Sequence, residues 1–226
     1  MPITLNTYTF DPARTTVRED QQEIAGQDGR TIRINGLLQG FDDLPTLEAA
    51  LDAILAAASS DTALLSLRPN RQLRVRREKF TREIQRDART ACFELILQAE
   101  DPFEQSTTTY TWPWALTASG QHKTVISTGS APSPVLITLQ ATGALINPAF
   151  SDGTRTIAYT GTLSPGTVLE FDGILREVRL NGTDVTPYAT GDFPEATPGN
   201  TLFTYTDDAA SAHTAQASIA FNLRWW

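Results

Sequence analysis

Closely spaced turn signals in the second half of the chain constrain its fold most strongly. Turn signals that end in glycine recur between residues 119 and 199, and no helical period separates them. Such dipeptides supply the backbone conformations that tight turns need. Short β-rich runs between regular turns are typical of a β-sandwich. The dipeptides are Ser119-Gly120, Thr128-Gly129, Asp152-Gly153, Pro165-Gly166, Asp172-Gly173, Asn181-Gly182 and Pro198-Gly199.

A double hairpin is the sharpest local prediction in this half. Strands are predicted at residues 168–171, 174–180 and 183–185, with turns at Asp172-Gly173 and Asn181-Gly182 between them. Both turns favour hairpins because Asp-Gly and Asn-Gly tolerate positive φ. Apolar residues alternate again from 218 to 226 and predict a final strand.

The first half contains one amphipathic helix, at residues 43–58. Asp42 and Asp43 lie where carboxylates complement the helix dipole, and Pro45 fits the first turn, where its missing N–H costs nothing. Apolar residues recur at steps of three and four and predict one buried stripe against a sheet. The stripe comprises Leu44, Leu47, Leu51, Ile54, Leu55 and Ala58.

Short strands surround this helix. They are predicted at residues 31–35, 64–67, 73–76 and 90–98, with a turn at 27–30 before the first of them. In the last strand, Phe93, Leu95 and Leu97 share one face, and Cys92 lies on the other. Because the run around Cys92 is apolar, we predict that this thiol is an inert core residue.

Composition and charge narrow the function. The chain has 226 residues, a formal net charge of −8 and a pI near 4.8, whereas general nucleic-acid binders are basic. A single cysteine excludes an intrachain disulfide and favours synthesis in the cytoplasm. The first residues lack the features of a signal peptide, and the apolar helical stretch at 47–58 is too short for a bilayer. We therefore expect a soluble protein with no membrane partner.

No group of residues points to catalysis. His122 and His213 are isolated in predicted loops, and the sequence has no Walker A loop, no Gly-x-Gly-x-x-Gly and no Gly-x-Ser-x-Gly elbow. Asp152-Gly153 and Asp207-Asp208 lack the pattern of a calcium loop and are interpreted as turn or surface carboxylates. Paired carboxylates for glycoside cleavage stay open, although nothing singles out a pair. We expect a protein that is not an enzyme and holds no metal or cofactor.

The segment from Arg68 to Arg89 is unusually basic. It contains nine basic and three acidic residues, a local charge of +6 in an acidic chain. Phe80 is its only aromatic residue, so base stacking gives little support to nucleic-acid binding. Two interpretations remain: a solvated charged face, or a contact with an acidic surface of a neighbouring subunit, which suits arginine. The candidate subunit-contact residues are Arg68, Arg71, Arg74, Arg76, Arg77 and Arg82.

Composition shifts between residues 104 and 110. The run Ser106–Thr109 leads into Tyr110–Trp114, after which Thr, Gly, Ser and Ala dominate and charges are few. We therefore predict two domains: a mainly β domain with one packed helix at residues 1–107, and a β-sandwich at residues 108–226.

Two stretches share a pattern with a known family. The first comprises a strand at 30–36, the helix at 44–58, arginine-rich strands, and residues 91–97 running into Asp101-Pro102-Phe103. The second comprises residues 171–173 and 178–182, followed by a corner at 191–200. A Phe-Pro step followed by Pro-Gly makes a rigid corner that returns the chain to the sandwich. The corner residues are Asp192, Phe193, Pro194, Pro198, Gly199 and Asn200.

Together these stretches resemble the distal tail proteins (Dit) of siphoviruses, the bacteriophages with long, flexible tails. The likeness spans most of the chain, although Glu195-Ala196 stand where the family commonly has a Leu. The resemblance implies a structural virion protein at the tail tip, with a hexameric ring formed by the N-terminal domain and a galectin-like C-terminal sandwich that projects outward. Its partners would be the tail tube and the host-recognition hub. DNA and the tape-measure protein would pass through its channel without specific binding.

A carbohydrate-binding sandwich is the alternative function. Such a module would use exposed aromatic platforms, for which the candidates are Trp112, Trp114, Trp225 and Trp226. A galectin-like fold does not itself imply sugar binding. The His, Asn, Arg and Trp constellation of galectins has no matching spacing in this chain.

Overall fold

Antiparallel β-strands, a single α-helix and one short 3-10 helix (Thr186–Tyr188) make up the regular structure of the described residues, which confirms the predicted mainly β fold class. The computed structural model describes residues 2–24, 27–59, 62–99 and 101–226, apart from the side chains of 21–24, 27 and 28. They divide into a unit of residues 1–107 with Trp226 and a unit of residues 108–225. None of the helices within these ranges has the length and apolar character needed to cross a bilayer.

The strands that begin in the N-terminal unit are β1 (Ile3–Leu5), β2 (Tyr8–Phe10), β3 (Thr15–Ile24), β4 (Gln27–Leu38), β5 (Ala63–Ser66), β6 (Arg71–Gln85), β7 (Thr90–Ala99) and β8 (Glu104–Leu116). The unit is built on a four-stranded antiparallel sheet in the order β3-β4-β7-β6. A smaller group of strands, β1, β2 and β5, extends this sheet through the pairing of β5 with β6.

Helix α1 (Leu44–Ala57) packs one side of its surface into the N-terminal core. The side chain of Asp43 caps it by accepting a 2.8 Å hydrogen bond from the Thr46 N–H, and this bond lowers the pKa of Asp43. Leu47, Leu51 and Ile54 are fully buried in one cluster with the inward side chains of β4 and β7. The predicted helix and its apolar stripe are therefore confirmed, with Leu44 and Leu55 only half-buried at its margins.

Three local predictions in this unit are wrong. Residues 27–30 form the start of β4 and not a turn, because they pair with residues 21–24 of β3. Strand β6 does not end at Arg76, since pairing with β7 continues to Gln85 despite the charged sequence. Cys92 is exposed and lies outside the core: β7 alternates, and its buried face is that of Phe93.

Gly36 shows how packing uses a glycine in the middle of a strand. It lies directly opposite Phe93 in the β4–β7 register. A Cβ built on Gly36 would fall 2.3 Å from atoms of the Phe93 ring, so the ring occupies the space that a side chain would need. Covering a strand glycine with a cross-strand aromatic ring offsets the weak packing that glycine otherwise causes.

The C-terminal unit is a β-sandwich with one core between two antiparallel sheets. Its strands after β8 are β9 (His122–Ser127), β10 (Ser133–Pro134), β11 (Leu136–Ala141), β12 (Leu145–Ile146), β13 (Ala149–Ser151), β14 (Thr156–Tyr159), β15 (Thr162–Leu163), β16 (Val168–Asp172), β17 (Glu177–Leu180), β18 (Thr183–Asp184), β19 (Ala189–Gly191), β20 (Glu195–Ala196), β21 (Gly199–Thr206) and β22 (Ala215–Trp225). The first sheet has the strand order β18-β17-β16-β11-β22-β8, and the second has the order β19-β14-β13-β21-β9.

The double hairpin has one predicted turn and one that is longer than predicted. Asn181 and Gly182 both have positive φ, as the predicted two-residue turn requires. The other turn spans residues 173–176, and the Asp172 carboxylate caps it by accepting hydrogen bonds from the Ile174 and Leu175 N–H groups. Strand β17 consequently begins at Glu177, three residues later than predicted.

The Ser–Thr run at the compositional boundary is part of a strand. Ser106–Thr109 lies within β8, whose first residues pair with β6 through Ser106 opposite Arg71. The β-branched threonines of this run suit a pleated strand. The change in composition therefore does not coincide with a loop.

Candidate subunit-contact surfaces

The four-stranded N-terminal sheet has one covered face and one open face. The core and α1 cover the face of Ile32, Ile34 and Leu95. The open face is polar, and the residues that share it by register are Thr16, Arg18, Asp20, Thr31, Arg33, Asn35, Leu37, Arg76, Lys79, Thr81, Glu83, Cys92, Glu94, Ile96 and Gln98. With four basic and three acidic members, this face is almost neutral.

Charges on the open face are largely paired. Arg33 donates to the Glu94 carboxylate at 2.6 Å, and Lys79 lies 3.9 Å from the other oxygen of Glu94. Arg18 and Asp20 form a second pair at 3.0 Å on β3. A face of mixed, paired charges offers few free cations to a phosphate backbone.

The same sheet has two free edges of opposite charge. Strand β3 pairs only with β4, and residues 76–85 of β6 pair only with β7 within the described ranges. The sequence of β3 carries one basic and three acidic residues, whereas residues 76–85 carry four basic and two acidic ones. An unpaired edge is a template for a further strand, and opposite charges favour one edge meeting the other.

Two of the six candidate arginines belong to a charge network around the buried Glu104 carboxylate. Arg68 pairs with Glu104, and Arg71 lies 3.5 Å from the same carboxylate. Buried Arg30 approaches Glu104 at 4.0 Å and pairs with Glu19, which also meets Arg68 at 3.4 Å. Burial, together with the like charge of Arg68, lowers the pKa of Arg30, while Glu104 opposes that shift. Sequence reasoning missed this network, because strand pairing brings together Glu19, Arg30 and Glu104 from separate parts of the chain.

The other four candidate arginines are exposed along β6. Arg77 and Arg82 lie on the helix side of the sheet, where Arg77 donates to the Ser59 hydroxyl and Arg82 pairs with Asp52 at 3.0 Å. Arg76 projects from the open face, and Arg74 lies opposite Leu64 of β5. Register thus divides the basic segment between two faces.

The corner at residues 192–200 is a rigid element of the sandwich. Phe193 and Pro194 are buried, whereas Asp192, Pro198, Gly199 and Asn200 are exposed. Gly199 has φ +88°, a conformation that favours glycine. Asn200 pairs with Ile126 of β9, and the guanidinium of Arg176 lies 5.7 Å above the Phe193 ring.

Asp152 anchors this corner, a role that sequence reasoning missed. Its side chain is 3% exposed, and it accepts hydrogen bonds from the N–H groups of Thr154, Arg155 and, across the chain, Glu195. Burial alone would raise its pKa, but the backbone hydrogen bonds and the nearby Arg155 charge outweigh burial and hold the pKa of Asp152 below its ordinary value. The interpretation of Asp152 as a surface turn carboxylate is therefore wrong in part: it caps a turn, but it is buried.

We predict that Asp152→Asn destabilises the C-terminal unit by about 1–3 kcal/mol at neutral pH, because one backbone donor loses its acceptor. A lowered folded-state pKa stabilises the fold above the unfolded value of about 3.9. That stabilisation is lost as pH falls through the folded-state pKa, so the difference between variant and parent should shrink in acid. Tryptophan fluorescence during urea unfolding measures it. Asp192→Asn, at an exposed corner position, is the matched control, and an equal loss there would contradict the anchor role.

Both histidines were predicted to be isolated in loops: His213 does lie in a loop, but His122 does not, and each has a hydrogen-bond partner. His122 lies in β9, and its Nδ1 is 2.9 Å from the Thr204 hydroxyl. His213 Nδ1 lies 2.7 Å from the Asp207 carboxylate, which also accepts from the Tyr205 hydroxyl at 2.8 Å. Burial and this carboxylate raise the pKa of Tyr205. Asp207 is therefore a buried acceptor and not a surface carboxylate.

Of the four candidate tryptophans, only Trp226 is exposed, at 51%, and the other three are at least partly buried. Trp114 is 6% exposed in the sandwich core, and Trp112 stacks on Phe221 with ring centroids 4.8 Å apart. Trp225 is half-buried. Trp226, which belongs to the N-terminal unit, packs against Phe103 with centroids 4.2 Å apart. Within the described ranges, no group of three or more His, Cys, Asp and Glu side chains could hold a metal ion.

The candidate contact surfaces are therefore the two unpaired edges and the open face of the N-terminal sheet. Residues 128–225 match the family model of the siphovirus-type tail component, C-terminal domain. Five chains of solved structures match, and one is the crystal structure of the Dit protein of phage SPP1, described as a paradigm of the hub adsorption apparatus in phages that infect Gram-positive bacteria. It is 13% identical, with a TM-score of 0.67 over 100% of this chain and 99% of that chain. No curated protein matches.

The resemblance to the distal tail proteins of siphoviruses is therefore confirmed. The family model covers most of the C-terminal unit, and the structural likeness covers the fold of the whole chain. The fold of the chain is therefore similar to that of the SPP1 Dit protein.

Proposed function

We propose that this chain is the subunit of a hexameric ring at the distal tip of a siphovirus tail, where it joins the tail tube to the host-recognition hub. Residues 1–107 form the ring, and the sandwich of residues 108–226 projects from it. The single observation behind this proposal is the N-terminal sheet with two free edges of opposite charge. The tail-component fold supports the location in the virion.

The directions of the strands favour a closed ring in which the β6 edge of each copy pairs with the β3 edge of the next. The order β3-β4-β7-β6 alternates in direction, so β6 of one copy and β3 of the next, related by rotation about a ring axis, are antiparallel. Every junction then continues the same ladder, and the contact is heterologous, with a basic edge meeting an acidic one. Six four-stranded sheets joined in this way would close at a backbone diameter of roughly 35–50 Å.

The two faces of the sheet then acquire different roles. With α1 on the outside, the open face lines the channel, and its paired charges let DNA and the tape-measure protein pass without specific binding. Arg77 and Arg82 remain outside the channel, on the helix side. Arg68 and Arg71 pair with buried Glu104, so we assign the intersubunit role chiefly to the arginines that are exposed along β6, which are Arg74, Arg76, Arg77 and Arg82.

Changing Arg76, Arg77 and Arg82 together to Ser tests the basic edge. Three exposed charge pairs of about 0.5 kcal/mol each predict that assembly needs a roughly tenfold higher protein concentration. Added salt should weaken assembly of the parent protein more than that of the variant. Native mass spectrometry gives the oligomer size, and a fluorescence assay measures binding to duplex DNA separately.

The matched control removes the same charge from the sandwich, by changing Lys123, Arg176 and Arg179 to Ser. This variant should assemble as the parent does. Unchanged assembly of the edge variant, accompanied by lost DNA affinity, would place the arginines in the channel instead. A parent protein that stays monomeric at all concentrations, with and without its tail partners, would contradict the ring itself.

A further inference from the structure

The outer face of the second sheet of the sandwich contains no Asp, Glu, Lys or Arg. Register places twelve residues on this face, all within the described part of the chain. Five are threonines, and Ile126 and Leu202 are 54% and 50% exposed. The residues are His122, Thr124, Ile126, Ala149, Ser151, Thr156, Ala158, Thr190, Asn200, Leu202, Thr204 and Thr206.

The other sheet of the same sandwich provides an internal comparison. Its outer face holds Glu170 opposite Arg179 and Asp172 opposite Glu177, as a solvated surface normally does. The uncharged face is therefore not a general property of this domain. Charged residues are depleted at the centres of protein interfaces, and exposed aliphatic side chains are enriched where a surface becomes covered.

Ile126 and Leu202 lie side by side on this face. Thr124 is directly opposite Leu202 and Ile126 is directly opposite Asn200, so the two aliphatic residues are diagonal neighbours on adjacent strands. Their polar surroundings are ordered: His122 contacts the Thr204 hydroxyl at 2.9 Å, and the hydroxyls of Ser151 and Thr156 lie 3.0 Å apart. The face thus presents an apolar pair near its β9 edge, next to short, neutral hydroxyl groups on β21, β13 and β14.

We propose that this face binds the same face of a second copy of the chain. Copies with a formal net charge of −8 repel one another, and an uncharged face is where they approach with least repulsion. A two-fold contact also needs a self-complementary surface, because each patch meets itself. Neutral Thr, Ile and Leu satisfy that condition, whereas a patch of one charge does not. The lack of aromatic rings on the face disfavours a saccharide as the occupant.

The size of the face sets the strength of this contact. Five strands about 4.8 Å apart and roughly 15 Å long give about 350–400 Å² per copy. The sum for two copies is below the roughly 1,200 Å² typical of stable complexes, so the pairing is weak and becomes populated only at high local concentration. The contact does not depend on the proposed ring. It would double the mass of the monomer, or of the ring if the N-terminal unit forms one.

The test is sedimentation velocity of the full chain over a wide concentration range. The parent protein should double in mass reversibly, from hexamer to dodecamer if the ring forms and from monomer to dimer if it does not. Changing Ile126 and Leu202 together to Glu should raise the midpoint of doubling at least tenfold, because like charges then meet across the two-fold axis. The matched control places the same charges on the other sheet, as Thr138→Glu with Gln140→Glu, and should leave doubling unchanged.

Charge reversal provides an independent readout. Copies with Ile126→Lys and Leu202→Lys should not pair with themselves, but should pair with the glutamate variant at least as well as the parent pairs with itself. Absence of doubling in the parent, or equal effects of the face and control variants, would overturn the proposal. Failure of ring assembly alone would not, because the monomer–dimer step remains measurable.

Discussion

Replacing Glu104 by Gln should destabilise the N-terminal unit by about 3 kcal/mol. The Glu104 side chain is 1% exposed and lies among Arg30, Arg68 and Arg71, so the change leaves three guanidinium groups facing a neutral amide. Breaking a buried ion pair by removing one partner costs about 3–5 kcal/mol. The lower end applies here because Arg68 and Arg71 remain partly hydrated. Hydrogen exchange of the α1 and β7 amides in the full chain measures the loss of stability in this unit.

Glu83→Gln provides the matched control for this experiment. Glu83 is exposed on β6, and the same change there should alter stability by less than about 0.5 kcal/mol. If Glu104→Gln lowered the free energy of unfolding by no more than Glu83→Gln does, the charge cluster around Glu104 would make no net contribution to stability. A loss confined to the C-terminal unit would likewise contradict the assignment.

Leu51→Ala should destabilise the N-terminal unit by about 2–5 kcal/mol. Leu51 is fully buried in the stripe of α1, and its truncation removes apolar contacts and leaves a cavity that close packing cannot fill. Circular dichroism at the helical wavelengths follows this unit, because the one α-helix of the described residues lies in it. Denaturant unfolding of the full chain then gives the change in the free energy of unfolding.

Leu55→Ala repeats the same chemical change in the same helix. Leu55 is only half-buried, so its truncation should cost about 1 kcal/mol. A cost at Leu55 equal to or above that at Leu51 would mean that the helix packs through a different face. A cost below about 0.5 kcal/mol at Leu51 would mean that the stripe is not core.

Elements whose signals are local were predictable from sequence. The helix follows from an apolar stripe at helical spacing, an Asp43 cap and Pro45 in the first turn, all within 16 residues. The Asn181-Gly182 turn follows from the positive φ that those two residues accept. The extension of β6 through Arg76–Gln85 was missed because no local pattern marks it: pairing with β7 stabilises a charged strand that propensity alone would not form.

The candidate surfaces were only partly predictable. The excess of arginine between residues 68 and 89 was evident, but its division was not. Some of these arginines pair with Glu104, some contact α1 and some lie on the open face. This division depends on strand register and on strands that are far away in sequence. The corner motif was found by its pattern, whereas its anchor, Asp152, was read as a surface residue because a buried capping carboxylate and an exposed one look alike in sequence.

Local features of the sequence were enough to predict the fold class: turn spacing and one helical stripe predicted a mainly β chain with a single helix, and the corner pattern carried the resemblance to the distal tail proteins. These features act over a few residues, so local conformational preference is enough to specify them. The tertiary structure sets which surfaces of the described residues are free. It exposed Cys92, buried Asp207 and Glu104, left two oppositely charged sheet edges unpaired and gathered the uncharged face around Ile126 and Leu202. Those outcomes depend on which strands pair, and strand pairing joins residues whose separation along the chain carries no local signal.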